Sequence, residues 1–571
     1  MSHSKGDTRR VGHLTLLKQP KKLTSREFNA LPFAERLEMV QQAAGRRKYD
    51  LIIDAADARE LVACLPMQEV YLLARELGPE DMTELLALAT TEQLTGILDL
   101  DCWQRDRLDG KRALEWLAAL AEAGDEALLD FVMEMEFELL AALVSGWIQI
   151  TWTPDDIEDE EERKALIARD GGYGIEYRDS ETAKLVGHIL SLIWQRDPEF
   201  YWRLMATVHG EGGSVLEEDV YRWRTGRLLD LGFPEPVEAQ SVYAWQDPDR
   251  ADPSAWNRDY PLAFNEETRP PGYLLTRVAP GELLSEVLTG GISSDSAWEL
   301  TYLLNKMMVA DEVDPGDARQ VDETLRRLYA TLNLALEHLA GQNVERAAQL
   351  FNGCYLEFLF RHGHSLVLQL ARRAHKIQAS RIAPYIDVPY RALLEALCRR
   401  RPDVWEGAIE AGRGGSRPFA RLSEIRQVAD CLDRLELQQQ LFDQVLPFDL
   451  PTPAELDLSG CQIDEADQVG LSTFFLTALA NQLLGNDFVP NPVSALELPD
   501  LHRLVSRDGK VDPDLRQRLV ERFEAELPGS SAFVEWSLGT LEEEFCCLDA
   551  RAIDGRFLAC LLVRLNGTGE N

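Results

Sequence analysis

His362-Gly363-His364 is the densest histidine cluster in the chain. Imidazoles this close would hold a transition metal if carboxylates from elsewhere completed the set, so His362 and His364 are the candidate metal ligands. Spacing identifies no such carboxylate. The preferred reading is therefore a glycine that ends one helix before the next begins, with Arg361 helping to cap it. Arginines make the second group. Arg222, Arg224 and Arg227 flank Trp223, and Arg399-Arg400-Arg401 sits at a helix end. Guanidinium forks match phosphate and carboxylate oxygens, which makes these six the candidate ligand-binding residues. The competing reading is salt bridging to the surplus of acids. Cys546-Cys547 with Cys560 has the elements of a redox or soft-metal site. Neighbouring Glu542, Glu543 and Glu544 would raise a thiol pKa and make the thiolate scarcer, so core packing is preferred. The acidic run from Asp155 to Glu162 offers oxygen ligands, but calcium loops set theirs around a glycine turn and this run has none. It reads as a solvated loop.

The standard catalytic signatures are missing. There is no G-x-x-x-x-G-K-[ST] phosphate loop, no H-E-x-x-H and no G-x-S-x-G. Gly210-Glu211-Gly212-Gly213 lacks the third glycine of a dinucleotide fingerprint. The 571 residues include 59 basic and 97 acidic ones, a net charge of −38. Such a charge repels nucleic-acid phosphates and anionic lipid, which argues against a role on either. Nine cysteines, odd in number and irregular in spacing, suggest reduced core residues rather than a disulfide framework. The N-terminal residues lack the apolar run of a secretory signal. The nearest approach to a membrane span, Leu139–Ile150, is short and interrupted by Ser145, Gly146 and Gln149. The expected location is the cytoplasm, with no cofactor.

The elements that must position these residues are mostly helices. Residues 1–26 carry Lys5, Arg9, Arg10, Lys18, Lys21, Lys22 and Arg26 against Asp7, and read as a flexible basic arm. Residues 27–145 read as a stack of short helices. Segments open at Pro66, Pro79 and Thr91, with apolar residues at Val70, Leu73 and Leu77, then Met82, Leu85, Leu86 and Ala89, then Leu94, Ile97 and Leu98. Spacings of three and four put each set on one helix face. One longer helix is expected over 125–144. Residues 146–245 combine helices with a small β insertion near 146–180, with strands expected at 147–152, 164–169 and 174–178. Residues 246–282 read as an ordered loop or linker. Residues 283–445 read as a central helical bundle with a stripe of Leu325, Leu328, Leu332, Leu336 and Leu339, broken at Gly341. A second stripe spans Leu350 to Phe358 and is broken at Gly363. Residues 446–571 form a further helical region. The fold class expected is mainly α, multi-lobed, part bundle and part short-helix superhelical stack.

The cadence at 66–99 resembles the short-helix stack in the N-terminal domain of the MgtE-type magnesium transporters and the middle domain of the flagellar switch protein FliG. That resemblance implies helical architecture and no functional residues. The whole chain resembles a family of large soluble bacterial proteins catalogued as a domain of unknown function. The residues that carry this are Arg227-Leu228-Leu229-Asp230-Leu231-Gly232-Phe233-Pro234, Asn305-Lys306-Met307-Met308-Val309-Ala310-Asp311 and Leu476-Thr477-Ala478-Leu479-Ala480-Asn481. The family implies a bacterial source. The leading expectation is an interaction or scaffold protein with a protein partner, since stacked helices offer extended surfaces. The alternative is an enzyme or small-ligand sensor with an arginine-lined pocket. A third reading, prompted by the transporter-like cadence, is divalent-cation sensing through acidic surfaces.

Overall fold

Helix starts are set by local capping chemistry. Thr90 Oγ1 accepts from the Gln93 amide at 3.2 Å, and Gln93 Oε1 accepts from the Thr90 amide at 3.0 Å. This reciprocal box satisfies two of the donors that a helix start leaves free. The computed structural model describes residues 24–210, 213–258, 282–410, 412–551 and 553–565. The basic arm therefore lies outside the described residues up to residue 23, as does the 246–282 segment from 259 to 281. Among the described residues the chain is mainly α. It has 26 α-helices and five two-stranded sheets. None of these helices is long and apolar enough to cross a membrane.

The chain divides into two units, residues 1–362 and 363–571. The short-helix cadence is present in the first as Met67–Leu77, Pro79–Leu88 and Thr91–Asp101. Val70, Leu73, Leu85, Leu86, Leu94, Ile97 and Leu98 are buried in one core that runs from Phe28 to Val220. A second core of the same unit runs from Leu228 to Phe360. The β insertion is a single antiparallel pair, Ile148–Trp152 with Gly174–Tyr177.

Four local expectations are corrected. Residues 164–169 are helix, not strand, and the acidic run is turn and loop only as far as Asp159, its last three residues opening that helix, Glu160–Asp170. Asp159 caps it through the amides of Glu161 and Glu162, and three glutamates in the first turn suit the helix dipole. The helix expected over 125–144 is two, Asp125–Glu134 and Phe137–Trp147. The break at Met135-Glu136 buries the methionine and lets Glu136 accept from Arg227. The stripe from Leu350 to Phe358 is cut at Cys354. There the backbone of residues 256–258 takes over the hydrogen bonds, with Arg258 N donating to Gly353 O and Tyr355 N to Trp256 O, each 2.9 Å. Gly363 ends nothing, because Leu356–Gln378 is one helix. A glycine inside a helix costs only about 1 kcal/mol, and burial of Leu359, Phe360, Leu366 and Val367 around it outweighs that.

The second unit is built from helices including Leu422–Gln440, Leu471–Leu483, Pro513–Glu526 and Ser531–Leu541. Its core centres on Phe475, whose ring centroid lies 5.3 Å from that of Phe523 and 5.6 Å from that of Phe533. A short parallel strand pair, Val493–Ser494 with Val563–Arg564, ties the end of the described chain to this unit.

Candidate functional site

The cavity with the most chemistry lies within the first unit. Helix Ser294–Ala310 forms one wall and presents Glu299, Tyr302, Leu303 and Lys306 to it. These four are spaced by three, four and seven residues, so they share one helix face. The opposite wall is Tyr355 and the start of helix Leu356–Gln378, with Glu357, Phe358 and Arg361. The rim is the end of helix Gly213–Asp230 and the turn after it, which contribute Leu229, Gly232 and Pro234. The volume of this open-mouthed cavity is about 510 Å³, within the range of small-molecule pockets.

The rim is held by a close backbone approach. Gly232 has φ +84°, and a Cβ there would stand 2.7 Å from the Tyr302 Cα. Only glycine takes that conformation at that distance without strain. Asn305, fully buried, donates from Nδ2 to the Leu231 carbonyl at 2.6 Å and fixes the turn against the helix. Two of the segments singled out in the sequence, Arg227–Pro234 and Asn305–Asp311, thus meet at this cavity.

Its charges are arranged in two groups. Lys306 Nζ lies 3.0 and 3.1 Å from the two Glu357 oxygens. Arg361 also donates to Glu357, and its Nε donates to the Ser241 carbonyl at 3.0 Å. The side chains of Lys306 and Arg361 are 15% and 21% exposed, so both cations are largely withdrawn from water yet reachable from the cavity. Behind them Glu299 accepts from Arg258 Nη2 at 2.9 Å and from the Leu356 amide at 3.1 Å. Burial pushes the Glu299 carboxyl up to about 7, against the pull of Arg258. Arg258 is anchored by the Ser296 hydroxyl and the carbonyls of Phe351 and Cys354. The apolar surface comes from Tyr302, Leu303, Tyr355 and Phe358. The cavity thus joins aromatic walls to a charged cluster, an arrangement suited to holding a ligand with an apolar body and a polar head.

The arginines named from the sequence lie elsewhere. Arg222 is exposed and pairs with Glu218 at 2.6 Å. Arg224 and Arg227 are brought together at Asp99. Arg224 Nε donates to the Asp99 carbonyl at 2.8 Å, and its guanidinium sits 5.1 Å from the Trp103 ring centroid. Arg227 forms a two-pronged bond to the Asp99 carboxylate at 2.7 and 2.9 Å and reaches Glu136 at 2.5 Å. Burial raises the Asp99 carboxyl, opposed by the two arginines. In the second unit Arg399 lies 3.8 Å from Asp403, and Arg401 Nη1 reaches the Arg400 carbonyl at 3.5 Å. None of these six lines the cavity.

His362 is fully buried, with Nε2 2.8 Å from His338 Nδ1 and its ring 5.6 Å from that of Trp256. Burial lowers its pKa to about 4, so the ring is neutral. His364, two residues on along the same helix, points to another side. Among the described residues no three His, Cys, Asp or Glu side chains gather as a metal set. Burial, aided by Glu542, pushes the Cys546 thiol up to about 12, and burial also raises Cys560. Both are thereby poor nucleophiles.

Sequence reasoning missed Glu299, Tyr302, Lys306 and Glu357. The available signal was the one-face spacing of 299, 302, 303 and 306, which mixes charge and aromatics where a core face would be apolar. No curated protein and no solved structure matches the chain. The model of a family of unknown function, DUF6178, matches residues 25–564, nearly the whole chain, and the protein belongs to that family.

Proposed function

We propose that the protein is a small-ligand-binding protein, a sensor or carrier, whose site is the cavity between helices Ser294–Ala310 and Leu356–Gln378. The observation that carries the reading is the convergence of Lys306, Glu357 and Arg361 on an aromatic-walled space of about 510 Å³. Cores avoid such clusters, because withdrawing charges from water costs several kcal/mol each unless pairing repays it. In this reading the protein is cytoplasmic and bacterial, and its charge of −38 keeps it off nucleic acid. Native mass spectrometry of the protein from its own host, beside a denaturing spectrum, tests it. A small extra mass lost on denaturation and absent from the rim variant Leu229→Trp supports it. Unchanged extra mass in that variant, or no extra mass and no uptake of the aromatic probes described below, overturns it.

A second reading, partner binding, draws on the second unit. Phe557 and Leu496 are 83% and 76% exposed there, and large exposed apolar side chains favour contact with another protein. The double variant Phe557→Ser, Leu496→Ser is expected to lose any co-purifying polypeptide. Retention of that polypeptide refutes this reading.

A further inference from the structure

We infer that the cavity selects an organic anion of single charge, a carboxylate on an aromatic or similarly flat apolar body. The inference rests on the cavity being a ligand pocket and adds the chemical class of the ligand. Its basis is a charge count within the cluster. Lys306 and Arg361 both bind the one carboxylate of Glu357, so two cations against one anion leave a single positive charge.

The other ionisable groups of the lining do not cancel it. Glu299 is already engaged by Arg258. Glu238 stands at the exposed rim, where water screens it. The donors around the excess charge are also not used up. Both hydrogen bonds of Lys306 go to Glu357, and Arg361 bonds through Nε and Nη2. Among the described residues this leaves an N–H of Lys306 and the Arg361 Nη1 group without a protein acceptor. A partly buried cation with spare donors is stabilised most by an incoming anion. The Arg361 guanidinium sits 5.6 Å from the Phe358 ring centroid, and Tyr302 and Tyr355 add aromatic faces. A flat body packs against these rings while its carboxylate meets the cations. That a chain of charge −38 holds its excess positive charge in a cavity sharpens the case, since its surface repels the same anion elsewhere.

Fluorine NMR with three probes of one shape tests this on the full chain: para-fluorobenzoate, para-fluorobenzamide and para-fluorobenzylamine. The benzoate is expected to bind about tenfold more tightly than the amide, the worth of one charge-assisted bond over a neutral one. Lys306→Gln removes the excess charge and is expected to weaken benzoate about tenfold while leaving the amide unchanged. Glu357→Gln frees both cations and is expected to tighten benzoate several-fold. Opposite signs from two near-isosteric changes cannot arise from loosened structure, which would weaken both. Equal binding of benzoate and amide, or preference for the amine, overturns the charge assignment but leaves the pocket standing if Leu229→Trp abolishes the signal. Weakened benzoate binding in Glu357→Gln also overturns the charge assignment. Binding of no probe, or binding that Leu229→Trp leaves untouched, overturns the pocket reading itself.

Discussion

Replacing Arg227 with methionine decides whether the arginine cluster around Trp223 serves the fold or awaits a ligand. Arg227 holds both oxygens of Asp99, at 2.7 and 2.9 Å, and reaches Glu136 at 2.5 Å. The Asp99 side chain is 1% exposed, so water cannot take the place of the guanidinium. Removing one member of a buried ion pair costs about 3–5 kcal/mol, because the other charge is stranded. Two features pull toward the lower end. Arg224 stays beside Asp99 through its 2.8 Å bond to the carbonyl, and Arg227 is itself 28% exposed. The expected loss is therefore about 3 kcal/mol, or about a hundredfold in an opening equilibrium. A single global transition is the wrong readout for a chain of two units. Hydrogen exchange on peptides covering Thr91–Asp101 and Gly213–Asp230 reports local opening instead. Their slow amides are expected to exchange about a hundredfold faster in Arg227→Met. Asp99→Asn placed on top of it is expected to recover part of the loss, since no stranded carboxylate remains. A change of less than about 1 kcal/mol in Arg227→Met, or a double variant worse than the single, refutes the structural assignment.

Three further outcomes follow from the same geometry. Burial holds the Glu299 pKa at about 7, above its unfolded value. The folded state therefore keeps a proton that the unfolded state has lost, and stability falls as pH rises from about 4.5 to about 7. Melting temperatures of Glu299→Gln and wild type are expected to converge near the bottom of that window, with the variant relatively more stable above it; growing destabilisation of the variant at high pH would mean that Arg258 outweighs burial. His362 runs the other way: its pKa of about 4 means that stability is lost as pH falls from about 6.5 to about 4, and His362→Phe is expected to flatten that acid limb, whereas an unchanged limb would show that His362 does not titrate there. Gly232→Ala combines a positive φ with a clash against the Tyr302 backbone, and a loss of about 2 kcal/mol or more is expected in thermal melts, with a neutral result refuting the close approach.

Much of the helical frame was legible because its causes are local. The stack at 67–101 follows from apolar spacing and from caps such as Thr90, whose bonds span three residues. Gly341, at φ +64°, ends its helix as its position suggests. Where the reading failed, Gly and Pro were poor guides. The break at Met135 carries neither, the helix before Cys354 ends on Gly353, and Gly363, which looks like a breaker, sits inside a helix. In each case the deciding partner came from far along the chain: Arg227 for Glu136, and the backbone of residues 256–258 for Cys354.

The site divides the same way. The sequence alone determined that the chain is mainly α, which residues face the cores, and that it carries a large negative charge, since periodicity, capping and composition act over a few turns or over the whole chain. It marked arginines as the informative cations, and the tertiary structure engages Arg224 and Arg227 with Asp99. The cavity and its surplus cation were decided only in three dimensions. Lys306 and Glu357 are 51 residues apart, and Gly232 meets Tyr302 across a long connection. Coulomb attraction and close packing depend on distance in space, and distances of that kind are set when helices dock, not by spacing along the chain.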